Sequence, residues 1–248
     1  MPQHDVLILG AGLAGQRAAL AAADAGATVA IMSKVHPVRS HSVAAAGGIN
    51  AAISVADDWR SHAYDTVKGS DFLGDQDAIE IMCSEAPQEV LHLEHIGVTF
   101  HRNDGGELDL RAFGGASMKR TAYVADITGQ AILHVLYEQL MKYHETVDRY
   151  EEWFTTSLLM DDAGECVGCI ARDIRTGALE AFTAKNVILA TGGAGQCWKP
   201  TTNGLICCGD GISMAYRAGA PLMDMEMVQY HPTTLAENGF LITEGARG

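Results

Sequence analysis

The chain has no uncharged apolar run of the roughly 18 residues that a membrane-spanning helix needs. Its apolar stretches nearest the start are interrupted by Asp5, Arg17 and Asp24. It is short of cations, with 17 Lys and Arg against 31 Asp and Glu, a formal net charge of −14. That deficit argues against a general affinity for nucleic acid phosphates, so any anionic ligand has to be held by local groups. Cysteine is sparse, six residues in 248, too few for a disulfide scaffold and in keeping with a reducing compartment. A basic segment ahead of an apolar core is also missing, because the first Lys or Arg is Arg17, and the start does not read as a secretory signal. What is present is 48% hydrophobic residues, too many for disorder and ample to bury the core of one large domain or two small ones. The expected class is a soluble globular protein.

Glycine is over-represented: 27 residues, about 11% against a typical ~7%. The glycines are not spread as a flexible linker. They gather at the ends of apolar runs, at 10 to 15, 47 to 48, 105 to 106, 114 to 115, 192 to 195 and 209 to 211, which suggests backbone approaching a ligand.

The run Asp5 to Leu9 ends in Gly10 and is followed by an alanine-rich helical stretch, Ala14 to Ala25, closed by Gly26. Thr28 to Met32 reads as a second buried strand. Strand, glycine turn, helix and parallel strand in this order open a doubly wound α/β sheet. Asp75 to His95 and Thr128 to Tyr143 have apolar residues at helical spacing, within a helical segment of about 56–145. From Ser157 the pattern changes to short strands with turns at 161–164 and 176–177, an antiparallel meander over about 157–185. A separate apolar strand, Asn186 to Thr191, is expected to return to the parallel sheet. The last residues, Ile242 to Gly248, finish no helix or strand, and the chain is expected to be a fragment.

Gly10, Gly12 and Gly15, with Ala11, Leu13 and Ala14 between them, form G-x-G-x-x-G between a strand and a helix. The first glycine allows the tight turn, the second lets a pyrophosphate approach the backbone, and the third lets the helix pack close to the strand. This predicts a dinucleotide. An acidic residue is expected about 20 residues on to bind the ribose hydroxyls, yet Ser33 and Lys34 stand there, which argues against ordinary NAD binding.

Four stretches together, 33–50 (SKVHPVRSHSVAAAGGIN), 65–80 (DTVKGSDFLGDQDAIE), Gly209 to Gly211 with 224–233 (DMEMVQYHPT), and 243–248 (TEGARG), resemble the flavoprotein subunit of succinate dehydrogenase and fumarate reductase, in order and over essentially the whole chain. The resemblance implies FAD as cofactor, joined covalently through the 8α carbon to His41, with Ser40, Ser42, Gly47, Gly48, Thr191, Gly192, Gly193 and Asp210 around it. A loop histidine bonded to backbone, and Asp210 as the N-cap of a helix over 212–218, are the plain structural readings of those two residues. The pattern departs at Ala46, where many members carry a polar residue.

For a dicarboxylate substrate the resemblance points to His231, Thr243 and Glu244, to Arg247 in the same motif, and to Phe113 packing over the bound acid. Simple core packing is the alternative for Phe113. The implied reaction interconverts succinate and fumarate, with electrons passing to a separate iron–sulfur subunit and on to quinone at membrane anchor subunits. The protein would sit peripherally on the cytoplasmic face of the membrane. Residues 1–235 would form the FAD-binding domain and 236–248 the start of a capping domain. The family's acid/base arginine falls beyond residue 248, so the chain alone is expected to be inactive. An L-aspartate oxidase-like flavoenzyme and a non-catalytic FAD-binding fragment are the rival readings. Cys166 and Cys169, spaced to opposite faces of a strand, and the adjacent Cys207 and Cys208 suggest no metal site.

Overall fold

The computed structural model describes residues 1–231 and 233–242. They fall into two compact units, Met1–Ser42 with Leu136–Phe240, and Val43–Val135 with Leu241 and Ile242.

In the first unit β1 (Gln3–Leu9) runs into α1 (Leu13–Asp24) and then β2 (Val29–Ser33). Leu7, Ile8 and Leu9 are fully buried, as expected of a central strand with both faces covered. Six alanines and Leu20 give α1 strong helix propensity, and its buried side, Gly15, Gln16, Ala19, Leu20 and Ala23, is small enough to lie close to the sheet. Gly26 follows the Ala25 cap at φ 81°, the left-handed conformation that ends a helix.

Further on come the end of α4 (Thr128–Met141), then β6 (Val147–Glu151), β7 (Trp153–Met160), β8 (Cys166–Asp173), β9 (Leu179–Leu189) and α5 (Asp210–Arg217). The six strands form one sheet in the order β6-β2-β1-β9-β8-β7. Pairing is parallel from β6 to β9 and antiparallel among β9, β8 and β7. The doubly wound parallel core and the meander are thus both present. The separate strand expected over Asn186 to Thr191 is instead the second half of β9, a continuous 11-residue strand. Its first half pairs antiparallel with β8 and its second half parallel with β1. No glycine or proline interrupts Leu179–Leu189, and Asn186 alone does not break it. Ile188 and Leu189, at its end, remain 38% and 40% exposed.

Three strands separate β2 from β7 in hydrogen-bonded order, yet Thr155 Oγ1 lies 3.2 Å from Met32 Sδ. The meander therefore curls back over the parallel strands. Leu7, Leu9, Ala30 and Met32 of that face meet Cys169, Ala171, Phe182 and Ala184 in a single core. Phe182 is held edge-on by Tyr150 and Trp153, with ring centroids at 4.7 and 5.3 Å.

The second unit contains α2 (Trp59–Gly69), α3 (Gln76–His95), the start of α4, and a small antiparallel sheet in the order β3 (Ile49–Asn50), β5 (Thr121–Ala122), β4 (Leu110–Arg111). Asp58 and Asp75 cap the two helices by accepting the N–H of Arg60 (2.7 Å) and Ala78 (3.1 Å). Arg120 is buried and chelated: Nε and Nη2 donate to Asp57 at 2.9 and 3.0 Å, and Nη1 donates to Asp65 at 2.5 Å.

Candidate functional site

The turn after β1 is closed at backbone distance on two sides. Gly10 has φ 108°, its N–H donates to the Met32 carbonyl (2.8 Å), and a Cβ on it would overlap the Ala190 carbonyl. A Cβ on Gly15 would overlap the Gly10 carbonyl itself. Strand, turn and first helical turn can approach this closely only because those two positions carry no side chain.

Gly12 caps α1 without a side chain, and the first helical turn holds no acidic residue. Leu13 N–H reaches Ser42 Oγ at 3.3 Å. A Cβ on Gly12 would stand 3.2 Å from Ser42 Oγ and 3.7 Å from Ser40 Oγ. The Ser40 hydroxyl is buried and has no hydrogen-bond partner among the described residues. A helix start carries partial positive charge and donor N–H groups, and a buried hydroxyl without a partner is costly. The two together define a place for an anion with acceptor oxygens. Ala11 is buried beneath this turn, and Ala14 and Gly15 form its helical side.

Ser33, the last residue of β2, is buried. Lys34, where an acid was expected, pairs with Asp210 at the start of α5. Asp210 is not a helix N-cap: the cap is Gly209 at φ 76°, and Asp210 is the first helical residue. Its carboxylate faces Lys34, a placement the helix start also favours. Thr191, Gly192 and Gly193 follow the end of β9, with Gly192 at φ 75° and the Gly193 carbonyl accepting from Gly209 N–H at 3.2 Å.

His41 is half-buried, and its Nδ1 accepts from Gly204 N–H at 3.2 Å. Burial pushes the imidazole below its ordinary value, so the ring is neutral near pH 7. The backbone-bonded reading of this histidine is therefore real, and it leaves Nε2 out of that bond. His231 Nδ1 lies 3.1 Å from the Thr233 carbonyl and 3.3 Å from Thr233 N. Thr243, Glu244 and Arg247 lie outside the described residues.

In the second unit Phe113 is half-buried, outside the core, and sits over Gly47, where a Cβ would stand 2.8 Å from its Cζ. The Arg111 guanidinium donates to the carbonyls of Ala46 (2.9 Å) and Gly47 (2.9 Å) and lies over the Tyr123 ring at 4.4 Å. It thereby fixes the backbone leading to Gly48, itself at φ 121°. Sequence reasoning missed Arg111, because a lone arginine 64 residues from its partner leaves no local pattern. It also missed Gly204, whose role resides in a backbone N–H.

Among the described residues no group of three or more His, Cys, Asp or Glu could hold a metal ion. Cys166 is half-buried and Cys169 fully buried, and burial pushes the Cys169 thiol up to about 12.

The FAD binding domain family matches residues 5–248. The succinate dehydrogenase flavoprotein subunit of Rickettsia bellii is 52% identical over 256 residues, covering 99% of this chain and 42% of that protein. A mutant of the E. coli quinol fumarate reductase FrdA superposes with a TM-score of 0.96 at 43% identity, covering 100% of this chain and 43% of the other. A quinol-fumarate reductase solved with menaquinol molecules gives 0.95 at 43% identity, with 99% and 43% covered. The chain thus spans about two fifths of the relatives it matches.

Proposed function

The chain belongs to the FAD binding domain family, and on that premise we propose that its first unit holds FAD and that it serves the interconversion of succinate and fumarate. One observation carries the reading: the start of α1 has no side-chain cap from Gly12, and the unpartnered, buried Ser40 hydroxyl lies beside it, 3.7 Å from where a Cβ on Gly12 would stand. The diphosphate of FAD offers the negative charge and acceptor oxygens that both groups need, so the residues fit the group. The Lys34–Asp210 pair supports the same choice. It replaces the free carboxylate of an NAD site by a neutralised pair.

Bound FAD supplies hydride transfer at its isoalloxazine. The chain's own residues hold and orient. Gly10, Ala11, Gly12, Leu13, Ala14 and Gly15 present backbone to the diphosphate, flanked by Ser40 and Ser42. Following the family resemblance, we assign Ser33, Lys34, Thr191, Gly192, Gly193 and Asp210 to the remainder of the cofactor, Gly47 and Gly48 to its flavin part, and His41 to covalent attachment. Burial keeps the His41 ring neutral, the state in which an imidazole nitrogen can form a bond. Phe113, His231, Thr243, Glu244 and Arg247 are assigned to the dicarboxylate, with Arg247 suited to grip a carboxylate in two-point fashion.

The quinol-fumarate reductases named above support a quinone partner, and from the family resemblance we assign a separate iron–sulfur subunit and membrane anchors, with this chain peripheral on the cytoplasmic membrane face. No helix among the described residues is long and apolar enough to cross a membrane. Residues 236–248 are assigned to the start of a capping domain.

The test is acid precipitation after incubation of the chain with FAD. Flavin should remain with the protein pellet, and His41→Ala should bind FAD yet release it into the supernatant. Failure of the unmodified chain to take up FAD at all would overturn the assignment.

A further inference from the structure

The two peptide groups that flank Gly12 are held from the buried side by one residue. The Ala11 carbonyl accepts the side-chain amide of Gln16, Nε2 donating at 2.9 Å, and the Gly12 carbonyl accepts the main-chain N–H of Gln16 at 3.0 Å. Gln16 stands one turn into α1 and has no exposed surface. In a trans peptide the carbonyl and the N–H point in opposite directions. With both carbonyls drawn onto Gln16, the N–H groups of Gly12 and Leu13 point the other way, out of the open end of the helix. Leu13 N–H reaches Ser42 Oγ at 3.3 Å, and Gly12 N–H has no acceptor among the described residues. The bond to the Gly12 carbonyl is the ordinary first turn of a helix, which almost any residue at position 16 would make. The bond to the Ala11 carbonyl needs a side-chain donor of glutamine's length. It comes at a cost, because Gln16 Oε1 is buried and has no partner among the described residues.

We propose that Gln16 is a positioning residue for the phosphate-binding turn: by holding the Ala11 carbonyl, its side-chain amide orients the Ala11–Gly12 peptide so that the Gly12 N–H is aimed at the diphosphate before the ligand arrives. The inference rests on the reading of Gly10 to Gly15 given above. Position 12 is where such a hold has an effect. Glycine lacks the Cβ that restricts backbone rotation, so a peptide joined to it turns more readily than one between two larger residues. An N–H free to turn loses orientational freedom when an anion binds, and a donor fixed beforehand avoids that loss. The Ser40 hydroxyl, buried and unpartnered 3.7 Å from where a Cβ on Gly12 would stand, supplies a second donor at the same place. Stability alone gives no reason for a glutamine here. Methionine has nearly the same length and shape, and Gln16→Met exchanges one buried unpartnered oxygen, Oε1, for another, that of the Ala11 carbonyl. The folded chain should therefore be about as stable with either residue.

Two measurements on the unmodified chain come first. Nuclear magnetic resonance on the chain labelled with 13C and 15N should show a through-hydrogen-bond coupling between Gln16 Nε2 and the Ala11 carbonyl carbon, and its absence overturns the proposal. Titration with ADP, which offers a diphosphate but no flavin, should move the Gly12 amide proton downfield, and ADP binding that leaves this proton in place also overturns it. In Gln16→Met the dissociation constant for ADP should rise about three- to tenfold, the share of one hydrogen bond. The Gly12 displacement on binding should shrink, while the urea midpoint of the ligand-free chain should not fall. A merely structural role for Gln16 predicts the opposite pattern, a lowered midpoint with ADP affinity unchanged. An ADP affinity equal to that of the unmodified chain overturns the proposal, as does a loss of affinity matched by a lowered midpoint. The two readings fail separately. A chain that takes up neither ADP nor FAD refutes the FAD assignment and this proposal with it, whereas a chain that takes up both, and whose Gln16→Met variant binds ADP equally well, refutes the role of Gln16 alone.

Discussion

Arg120 carries a permanent charge at 1% exposure, and its partner Asp57 is equally buried. Burial by itself would raise the carboxyls of Asp57 and Asp65. The guanidinium, together with N–H donors from Asp58 and Ser117, instead holds both below the ordinary carboxylate value. Arg120→Met should therefore cost about 3–5 kcal/mol, since it strands two carboxylates rather than removing a balanced pair. The pH dependence has a definite sign. With Arg120 present the folded values lie below the unfolded one of about 3.9, so the stabilisation is complete above that pH and is lost as acid takes the pH through the folded values. In Arg120→Met burial prevails, the folded values rise above the unfolded one, and the loss should shrink on acidification. Urea midpoints at pH 7 and pH 4 measure this, and a deficit that grows toward acid contradicts the account. His62 adds to the acid sensitivity of the native chain. Burial first, and Arg120 second, lower its imidazole below the ordinary value. Its contribution is whole above about pH 6.5 and fades as the pH falls from there.

At the scale of elements, the β1–α1 turn depends on absent side chains, and two glycines of the same motif region separate close approach from conformation. A Cβ on Gly15 overlaps the Gly10 carbonyl, whereas one on Gly26 meets nothing within 4 Å. Gly15→Ala should push α1 away from β1, costing about 1–3 kcal/mol, and should abolish FAD retention. Gly26→Ala should cost only the left-handed conformation, about 1–2 kcal/mol, and leave FAD retention intact. Chemical denaturation and flavin co-purification distinguish the two variants. This motif was legible in the sequence because its chemistry is local: strand, turn, cap and helix occupy Gln3 to Asp24 without a break. The cap at Gly26 was readable for the same reason. α2 and β6 went unassigned as individual elements. Trp59–Gly69 is largely polar, with only His62 buried, and Val147–Glu151 gains its place by pairing with β2, more than a hundred residues earlier. The double pairing of β9 could not be read either, because hydrogen-bond direction is decided by the neighbouring strand. At the candidate site the glycine motif and the resemblance named candidates, while the Lys34–Asp210 pair and the Gly204–His41 bond join positions 176 and 163 residues apart. No spacing rule reaches that far.

For the whole molecule, the net charge of −14 opposes the approach of the anion it is proposed to hold. The attraction assigned to the diphosphate is short-range, from the α1 start and the Ser40 hydroxyl, and Lys34 is neutralised by Asp210. Repulsion from distant carboxylates acts over a screening length of roughly 30 Å at 0.01 M salt and about 10 Å at 0.1 M. The bound diphosphate lies within contact range of its donors and is screened far less. Added salt should therefore remove more of the repulsion than of the grip. FAD association should accelerate by roughly two- to threefold between 0.01 and 0.15 M salt, opposite to the behaviour of a basic nucleotide-binding surface. Lys34→Gln would leave Asp210 unneutralised near the approach path, slowing association and steepening its salt dependence. Stopped-flow quenching of flavin fluorescence gives both rates. An association rate that falls with salt would mean that a local cationic field, and not the total charge, governs the encounter, and the burden of binding would then move from the uncapped helix start to Lys34.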